Sequence, residues 1–195
     1  MTEISYKRFG LDRTELLKKI QQAMSEKRFQ HVLGVEQACI ELAERFDGDV
    51  EKSGLAGLTH DYAKERPDSD FIKIIGQKNL DPQLLNWGNA IWHGVVGAYI
   101  VEDELGITDA EILEAIQLHT SGKAQMSKLA KILYVGDYIE AGRNFPGVHE
   151  AREAAKKSLD DGVAFEALHV LTYLTQQRKK IYPLSLETYN NYVGQ

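Results

Sequence analysis

RFQHVLGVEQACIELAERF, residues 28–46, decides the fold class. Val32, Val35, Cys39 and Leu42 recur at the spacing of one helical face. The pattern begins after Ser25 and stops near Asp47-Gly48. His31 sits on the same apolar stripe, followed at helical spacing by Val35, Ala38 and Leu42. A helix that directs an imidazole at the interior raises the question of what the imidazole meets there.

The rest of the chain has the same period. A short helix is expected after Asp12 or Thr14, and a second from Val50 to Lys64, ending before Pro67, which disfavours helix in the residue ahead of it. Asp68 to Ile75 reads as a short helix. Residues 76–89 read as loop, with one helical turn after Asp81-Pro82. Helices are expected over Ala90–Leu105, Thr108–Leu118 and Ser127–Ile139, the second opened by a T-D-A-E capping box from Thr108 to Glu111. Gly142 to Gly147 is a loop. Val148–Leu159, Val163–Lys180 and a segment after Pro183 complete the pattern. There is no strand-like alternation of useful length, no internal repeat and no linker. The expectation is an all-α helical bundle forming a single domain over 1–195.

Composition narrows the function. The formal net charge of -6 argues against nucleic acid or an anionic membrane as partner. An anionic substrate then needs a local cationic pocket or a metal. No apolar run approaches the roughly 18 residues that read as a membrane span. The first residues, MTEISYKRFG, lack an apolar signal core, so a cytoplasmic location is expected. A lone cysteine, Cys39, excludes an intrachain disulfide framework and a Cys-rich zinc site, and on its apolar stripe it reads as core. A metal here would be held by histidine and carboxylate.

Six histidines are present, and four of them join the argument. Besides His31, His93 shares a face with Val96, Gly97 and Ile100, and His119 with Ile112, Ala115 and Ile116. In LTHDYAKE, residues 58–65, His60 and Asp61 follow the apolar Leu55 and Leu58. Asp137 follows Leu129 and Leu133 on one stripe. A buried ionised carboxylate is costly unless paired or bound to a cation. Four imidazoles and two carboxylates aimed at one interior need a common partner, and a metal centre supplies it. Six such ligands exceed what one four-coordinate ion takes, which favours two ions. His149 shares a solvated face with Arg152, Glu153 and Lys156, and His169 is a boundary residue near Phe165 and Tyr173. Both stand outside the set.

The order His31, His60-Asp61, His93, His119, Asp137 resembles the HD superfamily of metal-dependent phosphohydrolases over roughly residues 25–145, ahead of C-terminal helices at about 148–192. LTHDYAKE, the WHGVVGAY segment around His93, LHTSGK at His119 and LYVGDYIEAGRNFPGV around Asp137 and Arg143 are similar to the YqeK-type HD proteins of bacteria. That resemblance implies an all-α HD-domain bundle, two divalent or mixed-valent metal ions with iron foremost, and symmetrical bis(5'-nucleosyl)-tetraphosphatase activity. Diadenosine tetraphosphate would be cleaved to two ADP by a hydroxide activated between the metals. It also implies that Asp61 bridges the ions, that His31, His60 and Asp137 complete one site, and that His93 and His119 complete the other. Imidazole and carboxylate ligands also suit Mn, Co or Zn.

Anionic phosphates need cations. Lys64 lies one turn beyond His60 and reads either as a phosphate ligand or as a solvated lysine. Arg143, in a Gly-flanked loop, offers a bidentate fork to phosphate or stabilises its own loop. Asp61, Lys64 and Arg143 are the residues expected to act in catalysis. Thr120, Ser121, Gly122 and Lys123 are further candidates for phosphate contacts, and Trp87, Trp92 or Tyr138 for an adenine. QQRKK, 176–180, reads as the basic end of a long helix and not as a nucleic-acid contact. The competing readings are another HD nucleotide phosphohydrolase, such as a nucleotidase or a guanosine polyphosphate hydrolase, and a non-catalytic nucleotide-sensing module. A homodimer is compatible with the resemblance, but no stretch identifies an interface.

Overall fold

A computed structural model describes residues 4–194, and among them there is no strand. Eleven α-helices follow in order: α1 (Arg13–Ala23), α2 (Glu26–Arg45), α3 (Val50–Thr59), α4 (Asp68–Gln77), α5 (Asn89–Val95), α6 (Gly97–Leu105), α7 (Ala110–Leu118), α8 (Lys128–Ile139), α9 (Val148–Lys157), α10 (Leu159–Gln176) and α11 (Pro183–Tyr192). Single turns of 3-10 helix cover Lys7–Phe9 and Pro82–Asn86. The all-α class expected from the apolar period is the class observed.

Polar caps set the helix starts. Side chains of Asp12, Ser25, Asp49, Ser127 and Ser158 each accept from a backbone N–H two or three positions into the helix that follows. The start of α7 differs from expectation by one residue. Asp109, not Thr108, is the cap, accepting from the amides of Glu111 and Ile112 at 3.0 and 3.2 Å. Glu111 is instead paired with Lys52, so it is not free to close a capping box.

Three helix extents also differ. The expected helix over 50–64 stops at Thr59, and the chain tightens into turns closed by Tyr62 N to Thr59 O and Lys64 N to Asp61 O, at 3.1 and 2.9 Å. The expected helix over 90–105 breaks at Val96. Immediately after the break comes Gly97, where a Cβ would stand 3.2 Å from that of Ala63, so the chain bends where it passes the 60–65 turns. The helix expected over 163–180 runs from Leu159 to Gln176, leaving most of QQRKK beyond its end.

The centre of the fold is a contact of four helices, α2, α3, α7 and α8. Val32, Val35 and Cys39 of α2, Leu55 and Leu58 of α3, Ile112 and Ile116 of α7, and Ile132 and Leu133 of α8 are fully buried in one apolar cluster. Cys39 lies between two glycines. A Cβ on Gly57 of α3 would be 3.1 Å from its sulfur, and a Cβ on Gly136 of α8 would be 2.7 Å from it. Only glycine admits that approach, and it brings His60, three residues past Gly57, toward Asp137, the residue after Gly136. Cys39 is thus a core residue, its thiol pushed up by burial. Near the N-terminus, buried Glu36 accepts from Tyr6 Oη at 2.5 Å and pairs with Arg13 at 2.6 Å, tying the leading segment to α2.

Candidate metal centre

The six sequence-selected residues come from five places in the chain and meet. His31 projects from α2, His60 and Asp61 from the turn that ends α3, His93 from α5, His119 from the end of α7, and Asp137 from α8. Their potential ligand atoms form three overlapping groups, each within 4.8 Å: His31–His60–Asp61, His60–His119–Asp137, and Asp61–His93–His119.

Asp61 divides its two oxygens between two sides. Oδ2 lies 3.6 Å from His31 Nε2 and 3.5 Å from His60 Nε2. Oδ1 lies 3.4 Å from His93 Nε2 and 3.8 Å from His119 Nε2. Asp137 Oδ1 stands on the first side, 3.1 Å from His31 Nε2 and 3.8 Å from His60 Nε2.

The remaining ring nitrogens fix the tautomers. Nδ1 of His60, His93 and His119 lies 2.7, 2.6 and 2.7 Å from the main-chain carbonyls of Gly57, Asn89 and Ile116. A carbonyl only accepts, so each Nδ1 carries the proton and each Nε2 turns a lone pair inward. His31 Nδ1 faces Glu140 Oε1 at 3.2 Å in the same manner. Burial, with His119 beside it, takes His93 down to about 3. Burial and neighbouring His60 take His119 to about 4. Burial lowers His60 as well. These three rings are therefore neutral near pH 7. Burial alone would raise Asp61, but the surrounding imidazoles outweigh it and hold the carboxyl below its usual range. Asp137 is likewise held low by His31, His60 and Arg143 against its burial.

Neutral imidazoles and ionised carboxylates facing one another are a cation's surroundings. His93 Nε2 and His119 Nε2 are 3.1 Å apart, two inward lone pairs with no proton between them. His31 Nε2, His60 Nε2 and Asp61 Oδ1 are buried with no hydrogen-bond partner, a costly condition unless an ion takes them up. The donor set fits a divalent metal.

Cations stand at the edges. Lys64 Nζ is 3.1 Å from His93 Nε2, and burial lowers its pKa although Asp61 counters that. Arg143 donates from Nε to the Asp137 carbonyl at 2.9 Å and from its terminal nitrogen to the Asp137 carboxylate. Two participants were missed in the sequence. Arg28, one turn before His31, donates to Asp61 Oδ2 at 2.7 Å. Glu140 is buried and also accepts from the Gly142 amide. Nothing local marks either one, because their partners lie far along the chain.

The weaker candidates are placed as follows. Thr120 has a buried hydroxyl without a partner. Ser121 is fully buried and its hydroxyl donates to the Gly122 carbonyl, while Lys123 pairs with Glu114, so the polar atoms of both are engaged outside the cluster. Trp92 is core, its indole donating to the Leu84 carbonyl at 2.7 Å. Trp87 packs on Tyr182, and Tyr138 on Phe145. His149 is exposed, and His169 lies 2.8 Å from the Tyr138 hydroxyl.

The sequence profile of the HD domain matches residues 28–142, which hold all six residues. A Bacillus subtilis (strain 168) protein named bis(5'-nucleosyl)-tetraphosphatase, symmetrical, is 39% identical over 180 residues, covering 92% of this chain and 97% of its own. One of the same name from Staphylococcus aureus (strain NCTC 8325 / PS 47) is 39% identical over 171 residues, 87% of this chain and 88% of its own. A crystal structure from Clostridium acetobutylicum, described as a predicted HD superfamily hydrolase involved in NAD metabolism, superposes with a TM-score of 0.89 at 31% identity, over 94% of this chain and 98% of that one.

Proposed function

The chain belongs to the HD domain family, and on that premise we propose that it hydrolyses diadenosine tetraphosphate symmetrically to two ADP. The name shared by relatives that align over most of their length supports the substrate and the position of cleavage. The observation that carries a two-metal reading is the division of Asp61, with Oδ2 toward His31 and His60 and Oδ1 toward His93 and His119. In this reading His31, His60 and Asp137 would hold one ion and His93 and His119 the other, with Asp61 serving both. Iron is the first choice from the family resemblance, and Mn, Co or Zn fit the same donors. Such ions, when bound, polarise phosphoryl oxygens and lower the pKa of water.

The chain's own residues do the rest. Carbonyl-held Nδ1 protons keep three imidazoles in the ligating tautomer. Lys64 on the His93 side and Arg143 on the Asp137 side place positive charge at two edges of the centre. There they meet the phosphates and offset the charge that builds on the departing ADP. Burial of the centre excludes bulk water and strengthens these interactions.

Chromatography of the nucleotides after incubation with diadenosine tetraphosphate and a divalent metal tests the reading. ADP as sole product, lost in His60→Ala and in Asp61→Ala, is expected. Equal AMP and ATP would contradict symmetrical cleavage. No turnover with Fe, Mn or Co would shift the assignment to another HD nucleotide phosphohydrolase or a sensing module.

A further inference from the structure

A cavity of about 600 Å³ opens beside the centre, between the start of α2 and the loop after α8. His31 forms part of its wall, so the cavity adjoins the first side of the metal centre. Lys27, Arg28 and Arg143 line it against two carboxylates, Glu65 and Glu140. Both carboxylates are already engaged: Glu65 accepts from the Ser25 amide and hydroxyl at 2.6 and 2.7 Å, and Glu140 from the Gly142 amide while facing His31. The cations are therefore the groups left to meet a ligand, on a chain whose net charge is -6.

The two arginines are arranged alike. Arg28 rests one nitrogen on Asp61, and Arg143 rests two on Asp137. Each guanidinium is thus oriented by a carboxylate of the centre and keeps further N–H groups for another anion. Arg28 Nε is turned toward Glu65 Oε1 at 4.0 Å, so the terminal nitrogens of Arg28 are the ones left for an anion. Phe145 adds an aromatic wall. Its ring is backed by Tyr138 at 4.7 Å and His169 at 6.0 Å between centroids, and the Tyr138–His169 hydrogen bond holds that backing together. A polyanion clamp next to a fixed aromatic face matches a nucleoside diphosphate: phosphates on the arginines, base on the ring.

We infer that this cavity seats one ADP half of the substrate, with Arg28 sharing its phosphates with Arg143 and Phe145 stacking its base. The inference rests on the proposed activity and adds Arg28 and Phe145 as binding residues.

Calorimetric titration of ADP and of inorganic pyrophosphate, in Mn²⁺ buffer, separates base from phosphate. Phe145→Ala is expected to weaken ADP by about tenfold or more and leave pyrophosphate unchanged. Phe145→Trp, which keeps a stacking face, should retain ADP affinity. Arg28→Gln is expected to weaken both ligands by about tenfold or more. Wild-type ADP affinity in Phe145→Ala, or equal loss of both ligands in it, would overturn the base assignment. Unchanged binding of both in Arg28→Gln would overturn the phosphate assignment. The same preparations are assayed for hydrolysis of diadenosine tetraphosphate. A hydrolysing protein whose two variants bind like wild type would remove this inference alone. A wild type that neither hydrolyses nor binds ADP would remove the proposed activity with it.

Discussion

Glu140 holds His31 Nδ1 and the Gly142 amide with one carboxylate, and so links the centre to the loop that carries Arg143. A carboxylate behind a ligating imidazole fixes its tautomer and raises its basicity. Glu140→Gln keeps the shape and drops the charge. It is expected to lower metal affinity by roughly 10- to 100-fold, measured by chelator competition, and unchanged affinity would refute the role. Glu166, on α10, is a different case. It is buried, Oε2 has no partner, and burial, with Asp137 adding to it, pushes its carboxyl well above the ordinary 4.5. The folded protein therefore keeps a proton there that the unfolded chain releases. Stability from this group is intact below pH 4.5 and declines as pH rises toward the raised folded value. Glu166→Gln should melt higher than wild type, with the gap wider at pH 8 than at pH 5. A gap that narrows with pH would reverse the sign of the argument.

Among the elements, what was legible in the sequence was the interior period, and what was not were the helix ends and the distant partners. His31, His93, His119 and Asp137 could be selected because each shares a helical stripe with aliphatic residues. Arg28 and Glu140 could not, since their significance depends on partners 33 and 109 positions away. The end of α3 was overrun because Tyr62 and Ala63 continue the apolar content; the structure buries both, but on tight turns. The glycines packed on Cys39 are the elements' most sensitive contact. Gly136→Ala is expected to cost about 1–3 kcal/mol by overpacking, read as a lower denaturant midpoint. Cys39→Ala should relieve part of that loss in the double variant; strict additivity would mean the contact is not the cause. At the end of α8, Arg152 donates to the carbonyls of Ile139, Glu140 and Arg143 at 3.0, 2.8 and 3.2 Å. It anchors the Arg143 loop without lining the cavity that Arg143 lines. Arg152→Ala should raise KM several-fold while metal affinity stays near wild type, and a proportionate loss of metal would instead indicate damage to the centre.

On the scale of the whole molecule, a chain of net charge -6 places Lys27, Arg28 and Arg143 around one cavity, and an all-α scaffold brings six residues from positions 31 to 137 into one cluster. Among the described residues no helix is long and apolar enough to cross a membrane. We propose that this cluster would hold two ions, with Asp61 shared between them. The most direct measurement is anomalous diffraction at a metal absorption edge from crystals grown with iron or manganese. Two peaks flanking the Asp61 carboxylate are expected, one beside His31, His60 and Asp137 and one beside His93 and His119. A single peak, or density away from Asp61, would contradict the two-ion proposal.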